Sequence, residues 1–235
     1  LVRVNVSDIY SAGALPREAL LALGWPAHRP ERDLAKFAET LRDELKRHEM
    51  YLLGGDTVGH GGALFLSLTV TGRCLSGAPV RRSGGQAGQE LWVTGQIGAA
   101  CLGFEAVKAG DTANPHVEAY RYPPIPNADA ARLVAEHAAA AMDVSDGLLG
   151  DVSTLAGASG LGAHIALDRV PFAGEPASLT EMLRLATWGD DYQLLFAAAP
   201  ERRDAVRAFA DRKGLPVANI GAVSYTHLTL PTISS

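Results

Sequence analysis

Between residues 28 and 49, apolar side chains recur at helical spacing. Leu34, Phe37, Ala38, Leu41 and Leu45 stand at i, i+3, i+4, i+7 and i+11, with Glu39, Arg42, Asp43 and Lys46 on the other face. Pro30 suits the first turn of such a helix, where a missing N–H costs nothing. Over 63–71 the period changes to two. Leu64, Leu66, Leu68 and Val70 alternate with Phe65, Ser67, Thr69 and Thr71, which predicts a strand. Gly54-Gly55-Asp56 before it reads as a turn with Asp in a favoured position. The chain opens inside a structured element, Val2-Arg3-Val4-Asn5-Val6. Arg73 to Gly88, rich in Gly, Ser and Arg, reads as the passage from one domain to the next.

Beyond it the pattern predicts a strand at Glu90–Thr94 and a helix at Ile97–Ala109, stopped by Gly110. Tyr122-Pro123-Pro124-Ile125-Pro126 cannot be helical and is a connection. Helices at 128–139, 147–157, 177–186 and 201–213 then alternate with strands at 140–144, 163–167, 192–198 and 217–222. That rhythm predicts a layered sheet with helices packed on it. Ser224 to Ser235 carries no acid, Lys or Arg and no amphipathic period. It reads either as a last strand or as a tail foreign to the domain.

At 235 residues and 47% hydrophobic, the chain can bury a sizeable core, in one large or two small domains. A net charge of −5 argues against general nucleic-acid binding, which normally requires a basic surface. The two cysteines, Cys74 and Cys101, lack CxxC spacing, so neither a disulfide framework nor a zinc site is expected, and reduced thiols in the cytoplasm are. No run of 18 apolar residues suggests a membrane span. The first residue is Leu1, inside a structured element, which leads us to expect a fragment.

Several chemistries lack their motifs. There is no GxxxxGK[ST], no GxGxxG after a strand, no GxSxG and no HExxH. His164, in an apolar strand, reads as a core or edge residue. Carboxylates remain as the chemical resource, and three groups of them stand beside glycine at predicted element ends: Asp56, Asp143 with Asp146, and Asp190 with Asp191. Each has an ordinary explanation: a turn residue, a helix cap at Ser145 or Asp146, and two solvated loop acids. One Asp suffices as a cap, however, and adjacent acids repel. Together they point to Mg²⁺ and phosphate, because Mg²⁺ takes a few carboxylates plus water and substrate oxygens. Arg81 and Arg82 before Ser83-Gly84-Gly85 offer guanidinium forks for phosphate, or form a solvated basic loop.

The motifs also follow one another in a recognisable order. Val4-Asn5-Val6-Ser7-Asp8 with Gly13-Ala14, Gly54-Gly55-Asp56-Thr57, Arg82-Ser83-Gly84 and Val93-Thr94-Gly95 come first. Ala141-Met142-Asp143-Val144-Ser145-Asp146-Gly147-Leu148, Ser159-Gly160-Leu161-Gly162-Ala163 and Gly189-Asp190-Asp191-Tyr192 follow. Over residues 2–223 this series resembles the thiamine-monophosphate kinases of the aminoimidazole-ribotide-synthetase-like superfamily.

The resemblance implies an α+β fold of two domains: a partial N-terminal α/β domain (1–76) that binds ATP and dimerises, and a layered C-terminal α/β domain (77–223), with 224–235 a tail. It implies transfer of the ATP γ-phosphoryl group to thiamine monophosphate by a cytoplasmic homodimer. Asp8, Asp56, Asp143 and Asp146 would be Mg²⁺–phosphate residues, Asn5, Gly55, Arg82 and Ser145 nucleotide or phosphate contacts, and Asp191 a residue of the thiamine-phosphate side. The family's Gly-Asp-Asp and Thr-Asp motifs would lie upstream of Leu1, and its thiamine pocket would be completed after Val223. Two positions depart from its pattern: Pro124-Ile125-Pro126 is followed by Asn127 instead of Arg, and Gln193 replaces Glu. Other readings are an ATP-using relative of selenophosphate-synthetase or hydrogenase-maturation type, and a non-catalytic nucleotide-binding or dimerisation module.

Overall fold

A computed structural model describes residues 1–225 of the chain. The tail read at 224–235 therefore lies almost wholly outside the described residues. Ser224 itself ends a strand.

The N-terminal half runs α1 (Val2–Ser11), β1 (Ala14–Pro26), α2 (Glu31–Arg47), β2 (Tyr51–His60) and β3 (Phe65–Cys74). Its sheet has the order β2-β1-β3, with β1 parallel to β2 and antiparallel to β3. A parallel pair needs a crossover, and α2 provides it. The helix read over 28–49 is this one, shortened by the extended backbone of its N-cap, Pro30.

Two readings change here. Gly54-Gly55-Asp56 is not a turn but the middle of β2, paired with Leu20, Leu21 and Ala22. Gly55 has φ +155°, and a Cβ on it would stand 1.8 Å from the Leu21 carbonyl oxygen. The glycine thus permits close approach between strands, not chain reversal. The second change is β1 itself, which the hydrophobic pattern does not reveal. Its Ala- and Leu-rich sequence, interrupted by Pro16 and Gly24, neither alternates nor favours a strand. Ladders on both sides hold it extended.

The C-terminal half runs β4 (Glu90–Thr94), α3 (Ala99–Lys108), α4 (Val117–Arg121), α5 (Ala128–His137), β5 (Ala140–Asp143) and α6 (Leu148–Gly157). It continues through β6 (Gly162–Ile165), α7 (Leu179–Thr187), β7 (Leu194–Ala198), α8 (Arg203–Lys213) and β8 (Val217–Ser224). The predicted rhythm holds, and the sheet order is β5-β7-β4-β8-β6 with every neighbouring pair antiparallel.

Every residue of β4, β5 and β7 is buried, because both faces of the sheet are covered. Trp92, Leu194, Phe196 and Ala141 face a core shared with Leu133 and Val134 of α5, Val206 and Phe209 of α8, and Val2, Val6 and Tyr10 of α1. Leu91, Val93, Leu195 and Met142 face the other layer, with Leu148 and Val152 of α6. The first core also includes Ala19, Leu41 and Leu45, so it continues across the boundary read at residue 76. α1 therefore belongs by chain position to the N-terminal half and by packing to both. Leu20, Tyr51, Leu53, Val58 and Phe65 remain exposed on the N-terminal sheet. No helix among the described residues is long and apolar enough to cross a membrane.

Gly55→Ala is expected to lower stability by roughly 1–3 kcal/mol, by forcing the β1–β2 ladder apart. Thermal denaturation checks this, and an unchanged Tm would mean that the close approach is not required.

Candidate active site

The edge strand β5 ends at Asp143, and the chain then bends through Val144-Ser145-Asp146-Gly147 into α6. The neighbouring β7 is preceded by Gly189-Asp190-Asp191-Tyr192-Gln193. Backbone bonds zip the two segments together beyond the sheet: Val144 N to Gln193 O (2.7 Å), Tyr192 N to Val144 O (2.8 Å) and Asp190 N to Ser145 O (2.9 Å). A Cβ on Gly189 would lie 2.2 Å from Ser145 O, and one on Gly147 would lie 2.6 Å from Thr187 O. Glycine stands at both places because backbone passes against backbone. The two acidic motifs, 43 or more residues apart in sequence, thereby become one surface.

The passage between the domains runs beside them. Ala141 N donates to Arg81 O (3.0 Å), and Ser159 Oγ accepts from Gly84 N (3.1 Å) and Gly85 N (2.9 Å). The Arg-Ser-Gly-Gly segment and the Ser-Gly-Leu-Gly segment are thus tied at the sheet edge. From the other side, α1 brings Ser7 and Asp8. Ser7 is fully buried, and its Oγ lies 3.1 Å from Asp143 Oδ2 and 3.2 Å from Tyr192 O. A hydroxyl has one proton, so when Ser7 donates to Tyr192 O it can accept from a protonated Asp143.

The electrostatics favour that proton. Burial, then the charge of Asp8, push the Asp143 carboxyl up to about 6, against the opposing hydrogen bond from Ser7. Asp8, at the exposed rim, is itself raised by desolvation, with Arg82 pulling the other way. Burial raises the Tyr192 hydroxyl as well. That hydroxyl donates to Asp190 Oδ1 (3.0 Å) and feels Asp190, Asp143 and Asp8. Asp8, Asp143, Asp190 and Tyr192 are thus one electrostatic group, with Arg82 as the cation that acts on Asp8.

The remaining residues fall out differently. Asp146 is exposed, and neither it nor Ser145 caps α6, whose N-cap is Gly147. The loop before α6 is instead tied down by Asp151, which the motifs do not single out. It is 2% exposed, and its Oδ2 accepts from Ser145 N (3.0 Å) and Asp146 N (3.1 Å), with Gly147 also bonding to the carboxylate. Its position in the first turn of the following helix was the available signal.

Asp191 is likewise occupied. Its Oδ2 accepts from Gly98 N (2.6 Å) and its Oδ1 from Ala100 N (3.2 Å), at the N-terminus of α3. Burial still raises it to about 6. Its neighbour Asp190, exposed and at φ +69°, is the acid left facing outward.

Gln193 Nε2 donates to Pro124 O (2.8 Å), while its Oε1 accepts from Thr94 Oγ1 (2.9 Å). An ionised Glu could not make the first of these bonds, which gives the departure at 193 a physical reason. Asn5 Nδ2 donates to Leu1 O (2.8 Å). Asp56 is exposed on β2, its Oδ1 accepting from Thr57 N (2.9 Å). Among the described residues no three His, Cys, Asp or Glu side chains are gathered closely enough to hold a metal ion. Asp8 and Asp143 are brought together, while Asp56 and Asp146 do not join them in a single cage.

Two measurements follow from this geometry. The folded-state pKa of Asp143 lies above its ordinary 3.8, so the folded protein holds the extra proton in the window between. That contribution to stability is complete below about pH 4 and is lost as pH rises through about 6. Asp143→Asn should therefore stabilise the metal-free protein at neutral pH by roughly 1–3 kcal/mol and flatten its stability between about pH 4 and 6. An unaltered slope in urea titrations would refute the assignment. Asp151→Ala leaves three N–H groups without their acceptor, and should cost about 1–3 kcal/mol. Hydrogen exchange at residues 145–147 should rise before that of β5; equal protection would rule out the positioning role.

Residues 86–229 match the AIR synthase related protein, C-terminal domain, and residues 1–74 match the N-terminal domain. The thiamine-monophosphate kinase of Caulobacter vibrioides is 35% identical over 233 residues, which cover 94% of this chain and 65% of that protein. The chain thus spans about two thirds of the length of that relative. Among solved structures, the thiamine-monophosphate kinase of Stenotrophomonas maltophilia superposes with a TM-score of 0.86 at 30% identity, covering 99% of this chain and 78% of that one. AaThiL complexed with AMPPCP and TMP shares the fold at a TM-score of 0.85 and 24% identity, over 97% and 74% of the two chains. Both halves being matched, the chain belongs to the AIR synthase related family and, within it, to the thiamine-monophosphate kinases.

Proposed function

We propose that this protein transfers the γ-phosphoryl group of ATP to thiamine monophosphate, giving thiamine diphosphate, with Mg²⁺ as the resident ion. One observation carries the reading beyond family membership. Asp8 and Asp143, from opposite halves of the chain, stand near one another although the charge of Asp8 opposes ionisation of Asp143. Such an arrangement favours a cation between them. The donors are hard oxygens, as Mg²⁺ prefers, and two carboxylates suffice when substrate phosphates and water complete the shell.

In this reading Asp8 and Asp143 hold Mg²⁺, with Asp146 and Asp56 serving the metal–phosphate face. Asn5, Gly55, Arg82 and Ser145 contact nucleotide or phosphate. Asp191 acts on the acceptor side by fixing the start of α3, with Asp190 and Tyr192 beside it. Bound Mg²⁺ supplies charge neutralisation and alignment of the phosphates. The acceptor is already an anion near neutral pH, its second pKa being about 6, so no strong base is required. What the protein must do is bring polyanions together and hold them in line.

The complex in which a relative of the same fold holds AMPPCP and TMP supports ATP and thiamine monophosphate as the two ligands. The apolar side chains left on the N-terminal sheet, Leu20, Tyr51, Leu53, Val58 and Phe65, support a homodimer through that face. Cys74 and Cys101 are unpaired, which agrees with a reducing cytoplasm.

The test measures thiamine diphosphate formed from ATP and thiamine monophosphate, with and without Mg²⁺. It uses this chain and a chimera completed with the remaining length of the Caulobacter relative. Product that requires Mg²⁺ is expected from the completed chain, and none from a folded chimera would overturn the proposal. In the same protein, Asp146→Asn should cut kcat about 100-fold or more while Tm moves little. Near-normal turnover would reduce Asp146 to a bystander of the loop.

A further inference from the structure

Two positions after Asp8, and on roughly the opposite side of α1, stands Tyr10. Its ring packs in the core with Val2 and Val6, and only 4% of the residue is exposed. Its hydroxyl has no hydrogen-bond partner among the described residues, yet it is not one of their sealed polar atoms. The hydroxyl therefore opens into the cleft that Tyr10 lines, about 450 Å³ in volume. This cleft lies where the two halves of the chain meet. The start of β1 and the end of α2 form one side, and Ile125 to Ala128, leading into α5, form the other.

A phenylalanine would fill the core equally well, and a polar group at such depth is nearly always paired. Charge surrounds this one. Glu49 and Arg132 both act on the hydroxyl. Arg17, Arg47 and Arg132 line the cleft, against the carboxylate of Glu49. Arg17 makes no ion pair among the described residues. The acids that hold the other two are shared with further cations. Glu44 contacts Arg47 (2.8 Å) and Arg3 (2.6 Å), while Asp129 contacts Arg132 (2.9 Å) and Lys213 (3.4 Å). Positive charge is thus in excess, and half-buried Leu15, Ile125 and Pro126 give the cleft an apolar wall.

We propose that this cleft binds a small organic oxyanion, a phosphate monoester with a compact apolar body. The hydroxyl of Tyr10 donates to one oxygen, and Arg17 and Arg132 offer planar guanidinium forks to the others. The apolar body lies against Leu15 and Ile125, so a bare ion binds less well. None of these residues belongs to the acid corner, so the site is separate from the kinase reading.

Tyrosine labelled with ¹³C at Cζ, with Tyr10→Phe to assign the signal, reports occupancy at the hydroxyl itself. Phenyl phosphate should move the Tyr10 signal saturably, inorganic phosphate should bind at least fivefold more weakly, and phenol should give no saturable shift. Arg17→Gln with Arg132→Gln, both on the surface, should weaken phenyl phosphate binding at least tenfold with little change in Tm. The proposal fails if no saturable shift appears up to about 10 mM phenyl phosphate. It fails equally if the double variant binds as well as the parent, or if phenol or inorganic phosphate binds as tightly as phenyl phosphate.

Discussion

The hydroxyl of Ser7 joins the two halves of this molecule where its acids converge. It is buried under α1, within hydrogen-bond reach of a side chain at the end of β5 and a backbone carbonyl just before β7. α1 can deliver it there because Val2, Val6 and Tyr10 sink into the same core as Trp92 and Phe196. Helical spacing then puts Ser7 beside Val6 on the inner side and Asp8 at the rim. If the helix moved, Asp8 would leave Asp143, and the acidic corner would become two unrelated loops.

That corner contains two kinds of carboxylate. Asp151 and Asp191 have their oxygens committed to backbone N–H groups, and they finish the loop before α6 and the start of α3. Asp8, Asp143, Asp146 and Asp190 are not used up in this way. Desolvation and the charge of Asp8 raise Asp143, while Arg82 works against desolvation at Asp8. Charge left uncompensated by the fold is what a polyanion–metal complex can use, and the committed acids hold the uncommitted ones in place.

Much of the fold was legible. Most C-terminal helices and strands fall close to where periodicity put them, because the helices carry an apolar stripe and the strands are short and apolar, whereas the short α4 was not foreseen. β1 was not legible. Its residues favour a helix locally, and only the ladders to β2 and β3 make it extended. For the same reason Gly54-Gly55-Asp56 looked like a turn: glycine signals unusual backbone freedom, but not whether that freedom serves reversal or close packing.

The sequence by itself determined which chemistry was available: carboxylates and arginines beside glycines, few cysteines, and an order of motifs particular to one family. It could not say which acid does what, because a capping Asp and an open Asp are the same residue until the N–H groups around them are located. Asp151 became a clamp on its loop, Asp191 a cap of α3 and Asp190 an open acid only when β5, β7 and α3 were brought together. Pairing is a long-range property of the backbone, and the hydrogen bonds that consume a carboxylate here come from residues as many as 93 positions away.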